Sequence, residues 1–427
     1  MSIGLMFALF AALVLIELPI AFALALSAVG YLAIDGQLPL NVVVQRMTSG
    51  LDSFPLLAIP LFILAGNIMN RAGLAARIFA FALSVLGHIR GSLAHVNIGA
   101  SLVFAGMSGV AQADAAGLGT VEIRAMRRAG FDPAFAAAVT ASSSIIGPII
   151  PPSVIMVIYA VIAQVSVADL FLAGILPGLL MGGLLMLMIW LMAVTGRIHA
   201  PVRPRASLHQ IGTTFARALP ALLAPVVLVA GLLSGAATPT ELGAITVVYA
   251  AIIGFLQGGL NLRRLYRATL ETGITAGVLV FIIAAAVPFG WVVSVNNLPA
   301  QLAGTLLSLT DNPYLILALM NLMLLAAGLV METTAILLIA VPALLPLALA
   351  LDMDLVHFGV MVVLNLLIGA ITPPFGVILF IMMDIAKISF ARMLKAMLPF
   401  YVPLVLALLA VTFWSDLVLF LPELVGR

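Results

Sequence analysis

Three hydroxyls in a row, Ser142, Ser143 and Ser144, stand directly before Ile-Ile-Gly-Pro-Ile-Ile-Pro-Pro in a chain whose hydrophobic fraction is 64%. Pro148, Pro151 and Pro152 remove backbone donors, so a helix arriving from Asp132 must come apart there. Asp132 followed by Pro133 reads as a cap and a first helical residue. In an apolar medium an unpaired carbonyl costs several kcal/mol, and broken backbone persists only where something else satisfies it. A hard, weakly charged cation such as sodium does that. The carbonyls of Ile145 to Gly147 and the hydroxyls of Ser142 and Ser143 are its expected oxygen ligands, with Ser144, Pro151 and Pro152 beside an anionic substrate. A half-helix restarting at Ser153 would point its positive end at that anion.

The arrangement recurs in "NLLIGAITPPFGVILFIMMD", Asn365 to Asp384. The offset that carries Gly106 onto Gly328 also carries Asp132 onto Asp354, Ser143 onto Asn365, Gly147 onto Gly369 and Pro177 onto Pro399. It carries Pro151 and Pro152 onto Pro373 and Pro374. Asn365, Gly369 and Thr372 therefore form a second candidate ion set, and a second half-helix is expected to restart near Phe375. Each break is expected to face the tip of a hairpin: Gly106, Ser108 and Gly109 in one half, Gly328, Thr333 and Thr334 in the other. Acids within membrane helices are costly, and Asp114 and Glu332 are the two placed to bind a cation or steer coupling. Glu17 and Glu241 lie beside prolines in peripheral segments, where a structural bond suffices, and Asp384 falls near an interface. Any one of these residues could serve only packing or kinking. Their pairing favours function.

Elements that position such residues must be membrane helices. With 8% charged residues over 427, there is too little polar surface to cover an aqueous globule. Candidate spans of roughly 20 apolar residues follow one another from Ile3 to Leu421, leaving no room for a soluble domain. The segment from Ile3 to Ile34 is too long for a signal peptide and reads as a retained span. Lysine occurs only at 387 and 395, which excludes a nucleic-acid surface, and there is no cysteine to bind metal. The five histidines show no HExxH spacing and neither lysine follows a glycine, so zinc hydrolysis and nucleotide hydrolysis lack support. A carrier is the leading reading. An ion channel is the first alternative, because broken helices also build selectivity filters, and a membrane-embedded enzyme the second.

Basic residues report orientation, since basic loops stay cytoplasmic. Placing Arg46, Arg90, Arg124 to Arg128, Arg197 to Arg217, Arg263 to Arg267 and Lys387 to Lys395 inside leaves Arg71, Arg77 and Arg427 outside. Residues 92–122 are then a re-entrant hairpin from the cytoplasm and 313–351 one from the periplasm. Each half makes an odd number of crossings, so the halves are inverted, which is a secondary-transporter signature. The expected organisation is a first repeat over 1–194 with a broken helix over 132–163, a cytoplasmic linker over 195–212, and a second repeat over 213–427 with a broken helix over 355–384. Both termini are expected to be periplasmic.

These residues lie in longer stretches: "PLFILAGNIMNRAGLAARI" from Pro60, "FAGMSGVAQADAAGLGTVEIRAMRRAGFDPAFAAAVTASSSIIGPIIPPSVIMVIYA" from Phe104, "SGAATPTELGAITVVYA" from Ser234, "GLVMETTAILLI" from Gly328 and "LIGAITPPFGVILFI" from Leu367. Together and in this order they resemble the large membrane subunit of tripartite ATP-independent periplasmic (TRAP) transporters. The resemblance implies an all-α, inverted-repeat, elevator-type carrier of the bacterial inner membrane. It implies sodium-driven uptake of a small organic acid, with sodium ions as coupling ions and no other cofactor. It also implies two partners: a small four-span membrane subunit, here expected as a separate chain, and a periplasmic substrate-binding protein. No arginine falls in the expected core, so dipoles, amides and hydroxyls would hold the solute carboxylate.

Overall fold

The computed structural model describes residues 3–36, 39–198, 204–374 and 376–426. Phe375, where the second half-helix was expected to restart, lies outside them, as do His199, Arg203 and Arg427. Every regular element among the described residues is helical, and seven helices are long and apolar enough to cross a membrane.

The helices form two packed groups, and each sequence repeat contributes to both. One group, the scaffold, sets Ala58–Arg71 against Pro239–Leu256 and the long helix Leu262–Val295, with Leu208–Ser234 beside them. The other group, the core, contains two hairpins, two interrupted helices, Val167–Val194 and Phe390–Phe413. The first interrupted helix is Pro133–Ser144 then Val154–Ala163, and the second is Leu355–Gly369 then Val377–Ala386. Their starts are built alike. Asp132 accepts from the amides of Ala134 and Phe135, both at 3.1 Å, and Asp354 from those of Val356 and His357, at 2.7 and 3.0 Å. Such caps satisfy amides that a helix start leaves bare. Pro151–Pro152 and Pro373–Pro374 are both cis.

Three expectations are corrected by contacts along the Leu262–Val295 helix. The first concerns the N-terminal span. Phe22 meets Phe281, Tyr31 donates to Asn296 at 2.8 Å, and Phe7 meets Phe289. The helix Ile20–Asp35 thus climbs beside the long helix while Ile3–Leu15 descends. The segment is a short hairpin folded at Glu17, whose φ is 63°, and not one span.

The second concerns the arginines. Arg71 pairs with Glu271 and Arg77 bonds Gln257, at the end of the long helix that carries Arg263, Arg264 and Arg267. Arg46 lies over the Trp291 ring at 5.0 Å, at the opposite end. At ~1.5 Å per residue these ends are about 40 Å apart, so Arg71 and Arg77 belong with the main basic cluster and Arg46 does not.

The third follows from the second. Leu74–Leu86 is tied at its start by Arg77 to Gln257 and near its finish by Ser84 to Thr214, 2.9 Å apart. Both anchors are at the same end of the molecule, so the helix is a bar across that end and not a crossing. Its repeat counterpart is Leu298–Leu309; Gly73 and Asn297, both left-handed with φ of 76° and 59°, precede the two bars. The expected linker is also shorter, because Ser207 caps a helix that starts at Leu208.

Candidate functional site

The first hairpin runs from Ser92–Ser108 through Gly109 and Val110 into Ala111–Ala116 and Leu118–Arg128, beyond the expected residue 122. Gly109 turns with φ of 66° and accepts a bond from the Val154 amide at 3.2 Å. A Cβ there would come within 2.4 Å of the Pro152 carbonyl oxygen, so glycine is required both by the turn and by the close approach. Five residues on, Asp114 accepts a hydrogen bond from the Ser108 hydroxyl. Its carboxylate also covers Gly147, where a Cβ would meet Oδ2 at 2.0 Å. The acid singled out in the sequence therefore closes over the first break.

Not every carbonyl in that break is free. Ile146 accepts from the amides of Ile149 and Ile150 at 3.0 and 3.1 Å, which removes it from the expected ligand set. Among the described residues the carbonyls of Ile145 and Gly147 accept no backbone bond. Ser142 and Ser144 donate to Ala138 and Ala141 at 2.8 and 2.9 Å, which leaves their oxygens able to accept. Ser143 differs: it donates to Asn97 Oδ1 at 2.7 Å and takes a bond from Ser101 at 3.1 Å, while Asn97 donates to Thr140 at 2.7 Å. Its hydroxyl joins the hairpin to the broken helix instead of turning toward the break.

The second hairpin, Pro313–Gly328 and Thr333–Ala350, presents Glu332 at its tip. Glu332 accepts from the amides of Thr334 and Ala335 at 2.9 and 3.2 Å and from the Thr334 hydroxyl at 3.0 Å. It is a helix cap, a role the sequence reading did not assign. Here hairpin and broken helix cross glycine on glycine, a Cβ on Gly328 falling 3.0 Å from the Gly369 Cα. The break is nearly self-sufficient. Ile368 accepts from the Thr372 hydroxyl at 2.6 Å, Gly369 from the Thr372 amide at 2.9 Å, Ala370 from Ile378 at 3.3 Å and Ile371 from the Tyr401 hydroxyl at 2.7 Å. Asn365 donates to the carbonyl and side-chain oxygens of Asn321 at 2.9 and 2.8 Å, and its own Oδ1 is buried with no partner.

A cavity of about 360 Å³ draws these parts together. Gly109 to Gln112 line it from the first tip, Pro148 from the first break, Glu332 to Thr334 from the second tip, and Leu367 and Ala370 from the second broken helix. Thr275 and its neighbours on the Leu262–Val295 helix close it from the scaffold. Of the sequence candidates, Gly109, Glu332, Thr333 and Thr334 reach this cavity. Ser142, Ser143, Ser144, Pro151, Pro152, Thr372, Pro373 and Pro374 are not among its walls, and Gly106 packs instead against Pro225 of the scaffold. Among the described residues no basic side chain lines it. Gln112, Thr275 and the Asn97 and Asn321 networks were missed. Two amides in otherwise apolar helices, related by the repeat once its offset is widened by two residues, were the available signal for the networks. No group of histidine, cysteine or acidic residues among those described could hold a multivalent metal.

Comparison with known proteins agrees with this architecture. The family described as "Tripartite ATP-independent periplasmic transporter, DctM component" matches residues 7–417. The chain is 42% identical over 408 residues to the sialic acid TRAP transporter large permease protein SiaM of Vibrio cholerae, covering 95% of each. It is 38% identical to the sialic acid TRAP transporter permease protein SiaT of Haemophilus influenzae, covering 96% of this chain and 66% of that one. It is 37% identical to the C4-dicarboxylate large permease protein DctM of Pseudomonas aeruginosa, covering 88% of each. Among solved structures, the YdaH transporter of Alcanivorax borkumensis superposes with a TM-score of 0.63 at 16% identity, covering 88% of this chain and 87% of that one, a likeness of fold alone. A bacterial multi-pass membrane protein with these helices, breaks and relatives is a transporter permease and not an enzyme: the chain belongs to the tripartite ATP-independent periplasmic transporter family, as a large permease component.

Proposed function

We propose that this permease takes up a small carboxylate-bearing solute in symport with sodium, by an elevator movement of the core against the scaffold. The observation that carries the reading is the single cavity shared by both hairpin tips, the broken helices and one scaffold helix. A solute held there lies between the two groups that would have to slide. Gln112, Thr275, Thr333 and Thr334 supply its polar contacts in place of the missing arginine. Sodium belongs at the first break, where the Asp114 carboxylate covers Gly147 and the Ile145 and Gly147 carbonyls accept no backbone bond, with the Ser142 and Ser144 hydroxyls as further candidate ligands. The second set, Gly328, Thr333, Asn365, Gly369 and Thr372, would take a further ion only after giving up some internal bonds. Both hairpins re-enter, the first from the basic, cytoplasmic end and the second from the periplasmic end, and both termini lie outside. A small membrane subunit and a periplasmic binding protein complete the system in the inner membrane.

Proteoliposomes containing both membrane subunits, supplied with binding protein and either sialic acid or a C4-dicarboxylate, test the reading. Uptake should follow an inward sodium gradient. Uptake sustained by a proton gradient without sodium would overturn the coupling ion. Because the chain lacks cysteine, single cysteines at Arg77, Arg264 and Arg46 can be labelled cleanly with an impermeant thiol reagent. The first two should react from one side and the third from the other.

A further inference from the structure

A second cavity, of about 790 Å³, opens at the basic end of the core, well away from the solute site. Its floor is apolar, made by Phe131, Phe135 and Met192, and its rim carries Arg197, Arg392 and Lys395. The one carboxylate in its lining, Asp132, caps a helix through one oxygen and meets Arg392 at 2.7 Å through the other. Arg197 and Lys395 have no acidic partner among the described residues. Both stand where membrane helices leave the bilayer: Arg197 just after Val167–Val194, Lys395 in the second turn of Phe390–Phe413. Trp190, 44% exposed on the last turns of the former, is an aromatic residue of the kind that marks headgroup depth.

The repeat provides a control within the chain. Counted from Ser389 and Ser166, which precede equivalent helices, the second repeat has Arg392 where the first has Asp169, a register one residue wider than the one that sets Pro177 on Pro399. The fold at this position therefore does not demand a cation. The copy that carries the cation is the one whose helix starts at the end of the molecule with the main basic clusters. An apolar floor under a cationic rim at headgroup depth suits one class of ligand, an anionic phospholipid with its phosphate at the rim and its chains against the floor.

We propose that this pocket is a binding site for an anionic glycerophospholipid of the cytoplasmic leaflet, seated between the capped start of the first broken helix and the two long core helices. A bound lipid would join the end of Val167–Val194 to the start of Phe390–Phe413 through its phosphate, with its chains against Phe131 and Phe135 beside the first broken helix.

The test compares phosphatidylglycerol with phosphatidylcholine on the purified permease, counting retained lipids by native mass spectrometry and reading thermal stability in nanodiscs. Phosphatidylglycerol should be retained preferentially and raise the melting temperature. The double variant R197Q/K395Q should weaken that preference roughly 30-fold, about fivefold for each cation at an anionic headgroup. The charge-keeping R197K/K395R should retain it, and both variants should match the parent in phosphatidylcholine alone. Equal retention of the two lipids by the parent, or an unchanged preference in R197Q/K395Q, overturns the site. Stabilisation by inorganic phosphate at the same concentration as the lipid would show an anion site without a lipid and overturn the assignment equally.

Discussion

The two breaks share their caps and their paired prolines, yet they solve the same backbone problem differently. The second break spends its carbonyls internally, on Thr372, Ile378 and Tyr401. The first leaves those of Ile145 and Gly147 unbonded and brings a carboxylate, Asp114, over them. Where the second half has a carboxylate, Glu332, it is committed to its own helix start. A duplicated sequence pattern can thus keep the geometry of a break in both copies while leaving backbone carbonyls unbonded in one. The lesson is that breakers specify where backbone is freed, and the neighbouring hairpin decides whether it stays free.

The largest expected effect separates the two acids. Asp114→Asn should raise the sodium concentration needed for half-maximal thermal stabilisation by about a hundredfold, the consequence of losing a charged ligand worth roughly 3 kcal/mol. Potassium serves as the control. Glu332→Gln should leave that sodium response in place and cost about 1 kcal/mol of stability as a weakened cap. Equal loss of sodium response in both variants would erase the distinction between the breaks.

Next come the glycines. Alanine at Gly328 pushes a Cβ onto the Gly369 backbone at 3.0 Å, which neither helix can easily yield. A stability loss of about 1–3 kcal/mol is expected, with little change in sodium dependence. Alanine at Gly147 instead strikes the Asp114 carboxylate at 2.0 Å, and its effect should appear in the sodium titration. Denaturation midpoints and sodium titrations on the same samples distinguish the two, and a reversed pattern would place the ion site in the second half.

The smallest effects belong to the buried amide networks. Ser143→Ala deprives Asn97 of a donor and should cost on the order of 1 kcal/mol without moving the sodium half-saturation, since the hydroxyl faces the hairpin. Asn365→Ala removes an amide whose Oδ1 is already unpartnered, and its cost should be similar or smaller. A tenfold sodium shift in the Asn365 variant alone would show that the orphaned oxygen is an ion ligand after all.

Much of the core was legible because its signals are local. An aspartate cap, a proline pair and a glycine at fixed separations announce a broken helix, and Asp132 and Asp354 do what such residues do. What escaped depended on side chains meeting across distance. Asn97 and Asn321 tie each hairpin to its broken helix, but two extra residues between Asn97 and Gly106, relative to the second half, hide their equivalence at a single offset. Glu332 was read as a charge at a tip when its position before Thr333 also made it a cap. The orientation of Arg71 and Arg77 failed for a different reason. A run as apolar as Leu74–Leu86 looks like part of a crossing, although at about 20 Å it is too short for one, and only Glu271 and Gln257 reveal which end the arginines occupy. The N-terminal stretch likewise looked continuous until Glu17 was seen turning it back.

The two bars deserve a mechanical reading. Leu74–Leu86 and Leu298–Leu309 are nearly equal in length, about 20 and 18 Å at ~1.5 Å per residue. Each follows a left-handed joint, at Gly73 or Asn297, and each joins scaffold to core, near opposite faces of the molecule. Two equal rods hinged between the same two bodies make a parallelogram linkage. In an elevator carrier such a linkage would let the core rise and fall without tipping, so the cavity keeps its facing toward the scaffold throughout the stroke. Lengthening one rod by a helical turn should tilt the core, whereas lengthening both should change only the distance travelled.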